Sequence, residues 1–398
     1  MLITMQSGPQ PADFADVRAT NLAVVLRHVR AHGPVSRAGI AAATGLNKAT
    51  VSSLVADLIE RRLLRETGLA ENRIGRPATM LVLDGSAYAA IGLEVTGDHL
   101  TAVAVDLAGE QLLSWRRAFT GATDAGRGVS GIAALAGRAA SRVAAQGRQV
   151  LGLTVGVPGL VDESGTVRRS AALAWSDVDL RGDLIKALRK PEYEVAVDND
   201  ANLAALAEQR YGGHDGGRNL IYVAGETGLG AGLIVDGRLL RGGRGFTGEI
   251  GRLQLHGGTL EELAGIESLI QRALPDADAD GAITDFAPEV ERVVIAARSG
   301  DHRALDALRD VGRHLGGGLS LLTNVLNPEV IVLGGYFVPL AEWLLPAAAA
   351  EMAAHTLAAE AGGAVLAVSV LGPGAAAIGG AARVLDALDT GHLPALTA

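Results

Sequence analysis

The chain of 398 residues contains no cysteine, which removes disulfides, thiolate zinc sites and cysteine nucleophiles together. Aromatic residues are only 3% of the total, too few for the stacking platforms that hold single-stranded nucleic acid. Long unbroken apolar runs are also missing. The nearest approach, residues 331–350, is interrupted by Gly334-Gly335, Pro339, Glu342 and Pro346 and reads as a strand, a loop and a helix. The first residues, MLITMQSGPQPADF, have neither a basic n-region nor an apolar h-region. A soluble cytoplasmic protein with no membrane partner is expected. What is abundant is apolar material, 48% of the chain, enough to core two or three domains without covalent staples.

The net charge of -9 argues by itself against nucleic acid, but its distribution argues the other way. Residues 1–85 carry 10 Lys+Arg against 7 Asp+Glu, and the remainder carries 25 against 37. A small basic head precedes a large acidic body.

Within the head, residues 1–15 read as a disordered tail and 16–85 as a folded unit. Leu22, Val25, Leu26 and Val29 recur at helical spacing up to Gly33-Pro34. Ser36 suits the N-cap of a short second helix ending at Gly45, and a third helix follows Asn47 with Val51, Leu54, Val55, Leu58 and Ile59 inward. Helix, glycine turn, helix is the layout of a DNA-binding helix-turn-helix. Its reading positions would be Lys48, Ala49, Thr50, Ser52 and Ser53, whose small or hydroxylated side chains reach bases and phosphates without bulk. Residues 63–67 and 78–83 read as a hairpin whose loop carries Arg73 and Arg76, wing arginines suited to a minor groove. The same three helices also suit an interaction module with a merely solvated polar face.

In the body, residues 86–398, the stretch EVAVDNDANLAALAE (194–208) stands out. A β-branched run stops at Asp198, Asn199 and Asp200, and an alanine-rich helical segment follows. Ligands of open α/β sheets sit beyond such strand ends, which makes Asp200 a candidate general base or hydroxyl acceptor. Asp198 or Asn199 equally suits a helix cap. Three strands (90–95, 100–106, 111–115) precede a helix near 132–145 and a strand at 151–155. A second series starts at Asn219 and contains the glycine-rich turn 225–232, and a final helix spans about 375–388. The ordering implies two related α/β lobes around a cleft.

Together these pieces resemble the ROK family (repressors, open reading frames and sugar kinases), most closely the actinobacterial-type regulators that join a winged helix-turn-helix to a kinase-like body. The resemblance rests on SRAGIAAATGLNKATVSSLVADLIERRLL, GRPATMLVLD, VDNDANLAALAE, GETGLGAGLIVDGRLLRGGRGFTGEIG, NPEVIVLGG and AAAIGGAA, in that order. It implies an actin-like, ribonuclease-H-like two-lobed body and a sugar-type ligand in the cleft. Asp200 falls on the kinase catalytic base, and Asn199, Glu249 and Glu261 on sugar-hydroxyl contacts.

Departures from the pattern weigh against an enzyme. Where the kinases carry an Asp-x-Gly-Gly-Thr phosphate hairpin, this chain has Glu94-Val95-Thr96-Gly97-Asp98. Thr96 crowds the backbone and Asp98 adds charge of the wrong sign for phosphoryl transfer. Asp200 is then a vestigial base and no catalytic residue is expected, although a sugar kinase with an appended DNA-binding head remains the alternative. The family's zinc element is missing too. Gly248-Glu249-Ile250-Gly251 is followed by Arg252, and His256 alone cannot build a four-ligand site, so no zinc and no other cofactor is expected. Arg252 either neutralises Glu249 and its neighbours from within or turns outward to the acid group of a ligand. The expected partners are a double-stranded operator and a sugar, sugar phosphate or sugar acid, with a homodimer or homotetramer matching palindromic DNA.

Overall fold

The computed structural model describes residues 14–69, 79–214, 217–275, 285–357 and 363–394. Three helices, Phe14–His32, Arg37–Thr44 and Lys48–Glu60, open the chain. The first starts just inside the stretch read as a tail, and the rest of that stretch lies outside the described residues. Local chemistry sets the other boundaries. The Ser36 hydroxyl accepts from Gly39 N, and Gly45 closes the second helix at φ 73°. The Asn47 side chain accepts from Thr50 N to start the third.

Leu22, Val25, Leu26, Ile40, Val51, Leu54, Val55 and Leu58 form one core, while Ile59 is only half-buried. Strands Leu64–Leu69 and Thr79–Leu83 pair antiparallel as expected of a wing. Val35–Ser36 adds a third strand, too short to be read from periodicity.

The body holds two five-stranded sheets of one design. In the first lobe Tyr88–Val95, His99–Asp106 and Gln111–Ala118 are antiparallel, Gln149–Val157 joins the first in parallel, and Glu194–Asn199 joins that. In the second, Leu220–Gly225, Leu229–Val235 and Arg238–Leu239 are antiparallel, Val330–Gly335 joins the first in parallel, and Val365–Val368 joins that. Both sheets therefore have the spatial order fifth, fourth, first, second, third.

Each lobe covers its outer sheet face with its own helices, Ala125–Ala145 and Leu180–Ala187 in the first, and Ile266–Ala273, Ala287–Arg298, His302–Leu326 and Phe337–His355 in the second. The last of these meets the length and composition of a membrane span. Its Phe337, Leu340, Leu344 and Met352 are nevertheless buried in the lobe core. The loop expected at Pro339 is helix, because in a first turn proline's missing N–H costs nothing.

The inner faces are covered by exchange. Helix Asp200–Tyr211, which follows the fifth strand of the first lobe, packs Ala201, Ala204 and Ala205 on Leu220, Tyr222 and Ile234 of the second. Helix Ala375–Asp389, which follows the fifth strand of the second lobe, packs Ala377, Ala381 and Leu385 on Tyr88, Ala90, Val103 and Val105 of the first. The two exchanged helices meet backbone to backbone, since a Cβ on Gly379 would lie 1.7 Å from the carbonyl oxygen of Leu203. Asp198, one of the two residues suited to a cap, is 3% exposed and pairs with both guanidinium nitrogens of Arg241 at 3.2 and 2.6 Å. It thereby ties the first lobe to the second.

The basic head shares its core with this body. Leu22, Leu26 and Leu63 belong to the same cluster as Tyr88, Leu385 and Leu388, and Tyr88 Oη donates to the carbonyl of Arg61 at 3.0 Å. Deleting residues 1–85 would strip that core, so point changes are the cleaner test of the head.

Candidate effector pocket and DNA-reading face

A cavity of about 500 Å³ opens between the lobes, a volume suited to a small ligand. All five residues expected at an effector site, Asn199, Asp200, Glu249, Arg252 and Glu261, line it together with Gly159, Arg169, Ser170, Glu226, Thr227 and Gly228. They arrive from strand ends and turns of both lobes, the crevice position that an α/β topology leaves open.

Asn199 is the helix cap. Its Oδ1 accepts from Asn202 N at 3.0 Å, and its Nδ2 donates to Gly159 O at 3.0 Å, holding the 158–160 loop against the helix start. Asp200, the first helical residue, accepts from Ala201 N at 2.8 Å. Glu249 follows Gly248, where φ is 101° and a Cβ would lie 1.8 Å from Ala231 O, so only glycine lets this turn approach the strand. Glu261 stands in the first turn of a short helix opened by a Thr259–Glu262 capping box. Its Oε2 accepts from Leu229 N at 3.0 Å. Arg252 is exposed at the pocket rim, and it forms no ion pair among the described residues. It influences Glu249 only through space, opposing that carboxyl's upward shift. The bonded internal partner considered above is not what this geometry holds.

Two carboxylates join the site that sequence reasoning did not place in it, Glu226 and the Glu94 of the altered hairpin. Glu226 lies in the glycine-rich turn 225–232, and Glu94 is the penultimate residue of the first strand of the opposite lobe. Glu94 Oε2 is sealed from solvent without a hydrogen-bond partner. Burial pushes Asp200 up to about 6. Burial, and then the Asp200 charge, raises Glu94 to about 7. Burial, followed by Glu94 and Asp200, raises Glu226 to about 8, with Arg116 opposing. Charge repulsion between lobes is thus relieved by protons. Asp98 is engaged locally, with its carboxylate on the His99 ring and accepting from Thr96 Oγ1 at 2.7 Å.

These raised values set a pH dependence. The folded protein holds protons that the unfolded chain, with carboxyl values near ~4, has released. The stabilisation is fully present below ~4 and is lost as pH rises through about 6 to 8. Urea unfolding at pH 5 and pH 8.5 is expected to give a lower stability at pH 8.5, on the order of a few kcal/mol. Equal stabilities would contradict the cluster. Glu94→Gln is expected to flatten the profile.

On the head, Lys48, Ala49, Ser52 and Ser53 are exposed along one face of the third helix, and Thr50 is half-buried. The Ser52 hydroxyl donates to Lys48 O at 2.9 Å, which leaves its oxygen as an acceptor. Arg73 and Arg76 lie outside the described residues. In the stretch compared above with a zinc element, His256 is exposed and no second nitrogen or sulfur ligand accompanies it, a donor set that does not fit tetrahedral zinc.

The model of the MarR family matches residues 23–73, from the middle of the first helix through the second and third helices and the strand Leu64–Leu69. The xylose repressor of Bacillus subtilis (strain 168) is 26% identical over 385 residues, covering 94% of this chain and 97% of that protein. A solved ROK family transcriptional regulator, a homologue of the Escherichia coli MLC protein, superposes with a TM-score of 0.80 at 25% identity, covering 95% and 98% of the two chains. A ROK family glucokinase from Streptomyces griseus, solved with glucose and AMPPNP, gives 0.60 at 26% identity, covering 74% of this chain and 98% of that one. The model of the ROK family itself matches residues 90–387, from the first strand of the first lobe to the last exchanged helix, and the chain belongs to that family.

Proposed function

We propose that this protein is a sugar-responsive, DNA-binding transcriptional regulator of the repressor type, acting in the cytoplasm as a homodimer or homotetramer. The observation that carries the reading is one continuous core joining the helix-turn-helix head to a body whose interlobe cavity gathers carboxylates and the Asn199 amide, groups suited to sugar hydroxyls. Length-spanning likeness to a xylose repressor and to a ROK transcriptional regulator supports it. Asn199, Asp200, Glu249 and Glu261 would bind sugar hydroxyls. Arg252, unpaired at the rim, would meet the outermost group of the ligand.

Of the effector classes considered, a neutral sugar suits the cavity best. Asp200 and Glu226 line the cavity, with Glu94 behind them, and none of the three supplies the positive charge that a phosphate beside them would need. The same carboxylates weigh against a kinase, since phosphoryl transfer needs cations and backbone donors where the phosphate charge develops. Neither zinc nor another cofactor is required by this reading.

One preparation tests it. ADP release with Mg-ATP and D-xylose, D-glucose or N-acetylglucosamine should stay at background, while one of the sugars should shift affinity for DNA. ATP turnover that rises with a sugar and vanishes in Asp200→Asn would establish the kinase reading instead. Sugar affinity should also rise from pH 5 to pH 7, as Asp200 ionises through about 6 and becomes a better hydroxyl acceptor. Arg252→His should leave stability unchanged, because the guanidinium has no bonded partner to lose.

A further inference from the structure

Where the head meets the body, three elements place charged side chains in one enclosed spot. Arg30, in the last turn of the first helix, pairs with Asp389 at the end of the last exchanged helix and donates to Leu385 O at 3.5 Å. One turn away Asp386 pairs with Arg210, at the C-terminal end of the helix that begins with Asp200. The Arg210 guanidinium lies 5.7 Å from the ring centre of Tyr211. Arg30 is influenced electrostatically by Asp389, Arg210, Asp386 and Tyr211 together.

This junction is under-satisfied. Arg30 Nε and Nη2, Asp389 Oδ1 and Tyr211 Oη are all buried without a hydrogen-bond partner. Arg30 and Asp389 share a single contact although a guanidinium and a carboxylate can form two parallel ones. Buried polar atoms are nearly always paired in a settled native structure. Arg30 thus holds donors, and Asp389 an acceptor, that a second arrangement of the junction would pair.

The elements reaching it are stiff. Helix Asp200–Tyr211 has 12 residues, about 18 Å at 1.5 Å per residue, with Asp200 in the pocket at one end and Arg210 in the junction at the other. The last helix is fastened to it at Gly379 and to the first strand at Gly92, where a Cβ would lie 1.8 Å from Ala377 O. Its start lies against the Glu94 carboxylate, since a Cβ on Gly374 would be 3.8 Å from Glu94 Oε2. Both helices therefore run from the carboxylate floor of the cleft to the DNA-reading head.

We propose that the Arg30–Asp389 contact, with Arg210, Tyr211 and Asp386 behind it, is the switch through which occupancy of the pocket changes DNA affinity. A sugar bound at Asp200 displaces the paired helices as a unit, and the junction exchanges its single contact for a bidentate one, turning the first helix and the reading helix packed on it. This rests on the regulator reading above and assigns its coupling element.

The test uses the full chain, a duplex selected by the wild-type protein from a random pool, and D-xylose, D-glucose and N-acetylglucosamine as probes. The quantity read is the ratio of DNA affinities without and with sugar, expected at about 5- to 150-fold for an allosteric pair. Arg30→Met combined with Asp389→Leu replaces the buried pair by apolar groups, a change that folded proteins usually accept. It should bring the ratio within about 2-fold of unity while sugar affinity and sugar-free DNA affinity each stay within about 3-fold of wild type. If that variant does not fold, the near-isosteric Asp389→Asn is read the same way. A wild-type ratio preserved in the folded variant overturns the switch and leaves the regulator standing. A wild-type protein that binds none of the sugars, or selects no duplex, overturns the regulator reading and the switch with it.

Discussion

Replacing Ala49 and Ser53 together by Glu is expected to abolish specific DNA binding, lowering affinity by at least about 100-fold, because two anionic groups would face a duplex with one negative charge per ~1.7 Å of axis. Both positions are exposed on one face of the third helix, flanked by Lys48 and Ser52, and neither touches the head's core. Sugar affinity and thermal stability should be unaffected, which separates loss of the reader from loss of the fold. Milder changes should behave by type. Lys48→Ala should weaken all duplexes alike and reduce the salt slope by about one, while Thr50→Ala or Ser53→Ala should relax base preference by about 1–3 kcal/mol per lost contact. Retention of affinity within 3-fold by the double Glu variant, measured by fluorescence anisotropy, would move the DNA-reading face elsewhere.

The second large effect is on stability. Gly379→Ala places a methyl carbon 1.7 Å from Leu203 O, and both neighbours are helix backbone that cannot rotate away. The exchanged helices must separate along their whole contact, and a loss of at least about 3 kcal/mol is expected, at the upper end of what overpacking costs. Gly317→Ala is the matched control. It lies in a helix with nothing within 4 Å of its Cβ position, so it should be neutral or stabilise by up to about 1 kcal/mol through helix propensity. Urea midpoints of the two variants should differ clearly, and equal midpoints would mean that the helix contact is looser than described.

Much of the head could be read in the chain because its determinants are local. Ser36, Gly45 and Asn47 act on backbone groups within four residues, and the inward leucines and valines repeat at helical spacing. The strand-to-helix join at Asp200 was legible for the same reason, and Asn199 caps it. What escaped reading depends on distant partners. Glu226 looked like one residue of a glycine turn, and although Glu94 stood out in the altered hairpin, nothing local in the sequence brings the two together across the cleft. Asp198 suited a cap, yet its partner Arg241 lies in the other lobe, just beyond the strand Arg238–Leu239. Arg252 beside a run of carboxylates suggested an internal ion pair, but the short 3-10 turn Ile250–Arg252 leaves it at the rim. The exchanged helices were found as helices, but their packing partners were not. Their contact faces are rich in alanine and glycine, which carry little hydrophobic signature and serve by letting backbones close together.

The exchange of those helices bears on how such a body can arise. A polypeptide with the length of one lobe would have a sheet with one bare apolar face and a terminal helix with nowhere of its own to pack. Two identical copies trading that helix would satisfy both at once, as a symmetric swapped dimer. The two sheets here share one strand order, and each is closed by the helix that follows the other's fifth strand. The body has the topology of that dimer written as a single chain. In that single chain the halves are not equivalent, and the cleft between them draws Asp200 and Glu94 from the first lobe and Glu226, Glu249 and Glu261 from the second.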